Sequence, residues 1–130
     1  MYLVDTSVWL EGLLEQEKTP EVRKFFNQLD PQLIHITDFA LYSMGIALSR
    51  LKKYELYEDF LSDTMLDSGV KKISLNILDL KRVLFNEQQF KLSFDDAYQY
   101  TAAEKFNLTL VSFDAHFDRT PRGRKTPGQI

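Results

Sequence analysis

Asp5, Asp96 and Asp114 are the residues of this chain best placed to do chemistry. Asp5 follows directly on the apolar run Tyr2-Leu3-Val4, and Asp114 follows closely on Leu108-Thr109-Leu110-Val111. Asp96 stands at the start of a helix that leads into that second run. Ligands of open parallel α/β sheets bind beyond the carboxyl ends of the strands. If the two runs are neighbouring strands, Asp5 and Asp114 share one edge of the sheet and Asp96 looks into the same crevice. Three carboxylates, in a chain with no cysteine and only two histidines, suit a hard cation, Mg²⁺ or Mn²⁺, better than zinc. Such a centre suits phosphoryl chemistry, in which the cation polarises the phosphate and activates water. Each acid also has a plainer reading. Asp5 suits a helix cap, Asp96 the acid of a Ser93-x-x-Asp96 capping box, and Asp114 a turn. Asp95 reads as a solvated helix-start charge. It is the combination of positions that favours a site.

The elements that must hold these acids are short. Tyr2–Val4, Leu33–Ile36, Val70–Ser74 and Leu108–Val111 are near-continuous apolar or β-prone runs, as expected of strands buried on both faces. Between them lie helical patterns: Val8–Leu14; a helix starting at Thr19-Pro20-Glu21 with Val22, Phe25, Phe26 and Leu29 on one face; about Phe39–Lys52; and roughly Tyr54–Leu66. A further helix is capped by Ser74 or Asn76, and another runs from Ser93 to about Phe106, with Asn107 as its stop. Strands alternating with helices describe an α/β domain with a parallel sheet. There is no internal repeat. Residues 1–118 read as the domain and 119–130 as a basic, irregular, exposed tail, with Arg119, Arg122, Arg124 and Lys125 set among Pro121, Gly123, Pro127 and Gly128.

Composition narrows the function classes. The 130 residues suffice for one domain with a core and not for two. With 44% hydrophobic and 13% aromatic residues the chain is not of the disordered class. Lys and Arg number 16 against 19 Asp and Glu, a net charge of −3, so net charge supplies no general attraction to nucleic acid. A polyanion needs a local basic patch or a bound cation. The missing cysteines exclude disulfides, thiolate metal sites and cysteine nucleophiles. No secretory signal or bilayer-spanning run is expected, since Asp5 interrupts the first apolar stretch. The expectation is a cytoplasmic protein with no membrane partner.

Val4-Asp5-Thr6-Ser7-Val8-Trp9, Phe94-Asp95-Asp96-Ala97 and Leu110-Val111-Ser112-Phe113-Asp114 resemble the acidic motifs of PIN-domain nucleases. The resemblance is closest to the VapC-like ribonuclease toxins of type II toxin–antitoxin pairs. It spans nearly the whole chain. It implies a three-layer α/β/α fold, with a mainly parallel sheet of four or five short strands, and a divalent-metal site that cuts RNA phosphodiesters. It also implies a homodimer and a small antitoxin partner. By position, Asp5, Asp96 and Asp114 match the family's first, third and fourth acids as catalytic and metal-binding residues, with the Thr6 and Ser7 hydroxyls in support. The family's second acid is a Glu in a pattern resembling Thr-Asp-Phe-x-Leu-Tyr-Glu-x-Gly. Here Thr37-Asp38-Phe39-Ala40-Leu41-Tyr42-Ser43-Met44-Gly45 places Ser43 there. Ser43 is either a remnant of the site or, with Ala40 and Ala47, part of a small-residue stripe for helix packing.

Asp38 suits an N-cap better than a replacement acid. His116, two residues beyond Asp114, reads as incidental rather than as a ligand, and His35 as a buried strand histidine. Trp9, Phe25 and Phe26 suit the core or a dimer interface. The four basic residues of 119–130 are candidates for gripping an RNA backbone or are simply solvated. The leading expectation is a metal-dependent endoribonuclease toxin. Its rivals are a PIN-like domain that has lost catalysis and binds RNA or protein, and a different doubly wound domain such as a phosphoacceptor receiver or a haloacid-dehalogenase-like phosphatase.

Overall fold

The apolar runs become four strands: β1 (Tyr2–Val4), β2 (Ile34–Thr37), β3 (Lys71–Ile73) and β4 (Thr109–Val111). A computed structural model describes residues 1–130. The sheet order is β3-β2-β1-β4 and every pairing is parallel. β1 and β4 lie side by side, with Leu3 opposite Leu110 and Val4 opposite Val111. The carboxyl ends of both strands therefore open on the same edge, the condition that the acidic residues required.

Six helices connect and cover the strands: α1 (Thr6–Leu14), α2 (Thr19–Gln28), α3 (Asp38–Arg50), α4 (Tyr54–Phe60), α5 (Ile77–Phe90) and α6 (Phe94–Phe106). Alternation along the central strands sorts the core into two layers. Val4, Ile34, Ile36 and Val111 pack with Val8, Trp9, Val22, Phe25, Ala40, Met44 and Phe60, from α1 to α4. Leu3 and Leu110 pack with Val83, Ala97, Tyr100 and Phe117 on the α5–α6 side. Two apolar layers enclosing one sheet make a three-layer α/β/α fold.

The helix ends follow local chemistry. Asn76 and Asp79 form a reciprocal capping box on α5, and Asn107 closes α6 in the left-handed conformation at φ 52°. Trp9 is buried, stacks on Phe26 at 4.7 Å and donates its indole N–H to the Val4 carbonyl, so it belongs to the core. The helix expected over 54–66 is α-helical only to Phe60 and continues as a π-helical turn, Leu61–Leu66.

Residues 119–130 differ from the expected exposed tail. Lys125 pairs in parallel with Val111, donating to the Leu110 carbonyl and accepting from the Ser112 amide. Thr120 and Pro127 are buried. The Gly128 amide donates to Glu21, and Gln28 donates to the Ile130 carbonyl. The physical reason is the open edge of β4: its backbone groups need partners, and this segment supplies them.

Candidate active site

Beyond the carboxyl ends of β1 and β4 lies a cleft of about 240 Å³ lined by Asp5, Thr6, Ser7, Phe39, Ser43, Asp95, Asp96, Gln99 and Asp114. Asp5 enters from the end of β1, where it also caps α1 by accepting from the Thr6 amide at 2.9 Å. Asp114 stands beyond β4 and caps a short 3-10 turn, Ala115–Arg119, through the His116 amide at 2.8 Å. The plainer readings, a cap for Asp5 and a turn for Asp114, thus hold alongside their place in the cleft.

Asp96 behaves differently. The Ser93 hydroxyl accepts from the Asp96 amide at 3.2 Å, but the reciprocal half of a capping box, which Asp79 makes on α5, is not what holds the Asp96 carboxyl. That group faces Asp114 and Asp5. Burial, then the hydrogen-bonded Asp114 carboxyl and its charge, then the charge of Asp5 push Asp96 up to about 6, against a smaller opposing effect of His116. A carboxyl crowded by other carboxylates in a partly buried cleft favours a proton on Asp96 or a cation beside it.

Asp5 is buried as a fully solvated carboxylate never is, and four donors converge on it. Thr6 N and Gln99 Nε2, at 2.9 and 3.0 Å, reach Oδ1; Ser7 Oγ and Ser112 Oγ, at 3.2 and 2.7 Å, reach Oδ2. Gln99 is itself fixed, its Oε1 accepting from the Thr37 hydroxyl at 2.6 Å. Ser112 also accepts from the Asp114 amide at 2.9 Å, linking the first acid to the last. Sequence reasoning missed Gln99 and Ser112. Gln99 lies three residues after Asp96, hence on the same face of α6, which is the signal that was there to find.

Ser43, on the second turn of α3, lines this cleft. Asp38 does not: it accepts from the Phe39 amide and from the Tyr98 hydroxyl at 2.7 Å, while Thr37 caps α3. Asp95 is exposed at the cleft rim. His116 comes closer than expected, with Nδ1 3.1 Å from Asp114 Oδ1 and 3.5 Å from Asp96 Oδ2. His35 is buried in β2, its ring N–H directed at the Tyr2 carbonyl.

The basic candidates are dispersed. Arg122 donates to Asn107 and to the Leu108 carbonyl, at the opposite end of β4 from the acids. Arg119 donates to the Lys91 carbonyl. Arg124 forks onto both oxygens of Asp118 and donates to the Ser112 carbonyl, which braces the 112–118 loop that carries Asp114 and His116. Lys125 is exposed. The structure does not gather these four at the cleft.

A parallel α/β/α sheet with carboxylates converging beyond two adjacent strands defines a class of acidic, strand-end sites. The PIN domain family model matches residues 2–123, and the chain belongs to that family. This sets aside the receiver and dehalogenase-like alternatives. PIN-domain proteins are nucleases, and therefore hydrolases, that generally use divalent metal ions. No curated protein matches the chain by sequence. Among solved structures, a toxin–antitoxin complex from Klebsiella pneumoniae is 21% identical, with a TM-score of 0.78 and 98% of each chain covered. FitAcB from Neisseria gonorrhoeae is 16% identical, with a TM-score of 0.78 and 100% of each chain covered. VapC20, a sarcin-ricin loop cleaving toxin from Mycobacterium tuberculosis, is 15% identical, with a TM-score of 0.73 and 88% of this chain and 90% of that one covered.

The residues present fit a hard dication. Oxygen donors from Asp5, Asp96, Asp114 and the Ser43 hydroxyl line one cleft, and the Asp96–Asp114 pair already favours a positive charge. No helix is long and apolar enough to cross a membrane.

Proposed function

We propose that the protein is a divalent-metal-dependent endoribonuclease that hydrolyses RNA phosphodiesters as the toxin of a toxin–antitoxin pair. It would act in the cytoplasm as a homodimer, restrained by a small antitoxin. The observation that carries this reading is the convergence of Asp5, Asp96 and Asp114 on one cleft. Solved structures of similar fold support the toxin assignment: one is a toxin–antitoxin complex and one is a toxin that cleaves the sarcin-ricin loop.

In this reading Asp96 and Asp114 hold Mg²⁺ or Mn²⁺, and Asp5 is the third carboxylate facing it. When bound, the cation supplies Lewis acidity, neutralising phosphate charge and lowering the pKa of water. Gln99, Ser7 and Ser112 fix the orientation of Asp5, Thr6 adds a backbone donor, and Ser43 offers a neutral oxygen. Arg119, Arg122, Arg124 and Lys125 are secondary candidates for RNA contact, and Lys125 is exposed.

The test is cleavage of structured and unstructured RNA with Mg²⁺ or Mn²⁺. Asp96→Asn should lower the rate by more than the ~10–100-fold typical of losing a supporting residue around a metal, and Asp5→Asn by at least that amount. Unchanged rates in both variants would remove the site.

Ser43 favours a second reading, a domain with weakened or lost catalysis that binds RNA or protein, because the cleft holds a hydroxyl where the family pattern has a carboxylate. An inert wild type whose Ser43→Glu variant gains cleavage dependent on Asp96 would select it.

A further inference from the structure

We propose that His116 is a ligand of the dication, so that this centre is a mixed oxygen–nitrogen set of Asp96, Asp114 and His116 that prefers Mn²⁺ to Mg²⁺. The inference rests on reading the cleft as a divalent-metal site and deepens it. Its first support is distance. One atom from each of the three side chains can be chosen so that all lie within 4.8 Å of one another. The imidazole Nδ1 is 3.1 Å from Asp114 Oδ1 and 3.5 Å from Asp96 Oδ2.

The second support is how that ring is placed. The His116 side chain is 61% exposed, so solvation does not force it onto the acids. Its backbone is nevertheless held. The amide donates to Asp114, Phe117 next to it is fully buried, and Asp118 is forked by Arg124. A fixed main chain that delivers a free-edged imidazole to two carboxylates is a preformed donor arrangement.

The third support is ligand supply. Asp5 spends both oxygens on four protein donors, and Ser43 brings no charge. Mg²⁺ keeps most of its water and takes one or two carboxylates, so Asp96 and Asp114 already serve it and an imidazole adds little for that ion. Imidazole nitrogen is a softer donor that suits first-row transition ions, and Mn²⁺, the first of that series, accepts it more readily than the hard, strongly hydrated Mg²⁺. His116 thus restores a strong donor to a site short of one carboxylate.

The experiment is a Mn²⁺ titration of the full chain, followed by pulsed electron paramagnetic resonance for ¹⁴N coupled to bound Mn²⁺. The chain has two histidines, and the other, His35, is buried in β2, so a nitrogen signal reports on His116. The expected result is ¹⁴N coupling in the wild type, its loss in His116→Gln, and Mn²⁺ binding about tenfold weaker or more in that variant. Calorimetry with Mg²⁺ should show the preference for Mn²⁺ narrowing in His116→Asp, which returns the set to oxygen. Circular dichroism checks that both variants fold. Bound Mn²⁺ without nitrogen coupling, equal affinity in His116→Gln, or no Mn²⁺ binding at all overturns the inference. RNA cleavage is scored separately. Cleavage with a nitrogen-free Mn²⁺ centre would keep the nuclease reading and discard this one, and a nitrogen-ligated centre without cleavage would do the reverse.

Discussion

Asp5 and Asp96 face the same cleft and solve the problem of carrying charge there in opposite ways. Asp5 is buried but surrounded by donors, so its charge is compensated by the protein itself. Asp96 has a half-buried carboxyl neighbour instead and is pushed up to about 6, so its compensation must come from outside. This difference sets the expected behaviour of two variants. Asp96→Asn removes like-charge repulsion while keeping the shape, so the metal-free protein should melt a few degrees higher, at roughly 3–6 °C per kcal/mol. Its response to added Mn²⁺ should disappear. Gln99→Leu acts in the other sense. It strips a donor from Asp5 and strands the buried Thr37 hydroxyl, an effect of about 1–3 kcal/mol. Thermal melts with and without Mn²⁺ check both, and a stabilised Gln99→Leu would refute the clamp. The acids were legible in the sequence because their positions relative to strand ends are a one-dimensional property. Gln99, Ser112 and His116 were not, since their roles depend on which strands neighbour one another and how the 112–118 loop folds back.

The strands show how the elements translate burial into pH dependence. β2 is buried along its whole length and includes His35, whose ring N–H is spent on the Tyr2 carbonyl of β1. Burial foremost, with Lys71 and the chain's amino terminus adding repulsion, lowers its pKa, while the Tyr2 and Leu33 backbone bonds oppose this. The unfolded chain gains a proton near the ordinary value of 6.5 and the folded chain resists it. Stability should therefore fall as pH drops below about 6.5. Asp96 in the metal-free protein works oppositely, losing stability as pH rises from about 4 through 6, because its folded pKa is raised. The clean measurement is thus the difference between wild type and His35→Asn, which keeps a donor near the Nδ1 position. Denaturant unfolding at pH 7.5 and 5.5 should show a smaller loss in the variant; equal losses would assign the slope elsewhere. At this scale most of the fold was readable. The apolar runs located all four strands to within a residue or two, Ser93 and Asn107 marked the two ends of α6, and of the two caps open for α5, Ser74 and Asn76, the structure uses Asn76. The π-helical turn after Phe60 was not readable, because its i-to-i+5 bonding leaves no distinct spacing of apolar residues in so short a segment.

For the molecule as a whole, the last twelve residues change the meaning of its charge balance. In sequence they form a basic cluster in a chain of net charge −3, which invites a role in holding RNA. In the structure much of that cluster serves the fold: Arg122 closes on the start of β4, Arg124 on Asp118, and Lys125 pairs its backbone with β4. The sequence could not reveal this, since Gly and Pro at 121, 123, 127 and 128 mark turns without saying that the chain returns to an open sheet edge. The same segment reaches α2 through Gly128 and Ile130, so it links β4 to α2. A chain ending at Asp118 should accordingly lose several kcal/mol. It would forfeit two backbone bonds to β4, the brace on the 112–118 loop and the buried Thr120 and Pro127, each hydrogen bond contributing about 0.5–1.5 kcal/mol. Its melting temperature should fall by more than about 10 °C, and Mn²⁺ binding should weaken with it because Asp114 and His116 lose their support. In Arg124→Gln, by contrast, the strand pairing remains. That variant should keep most of the stability and lose chiefly metal affinity, which separates bracing of the loop from closure of the edge. A truncated chain as stable as the full one would return residues 119–130 to the status of a free basic arm, available for RNA.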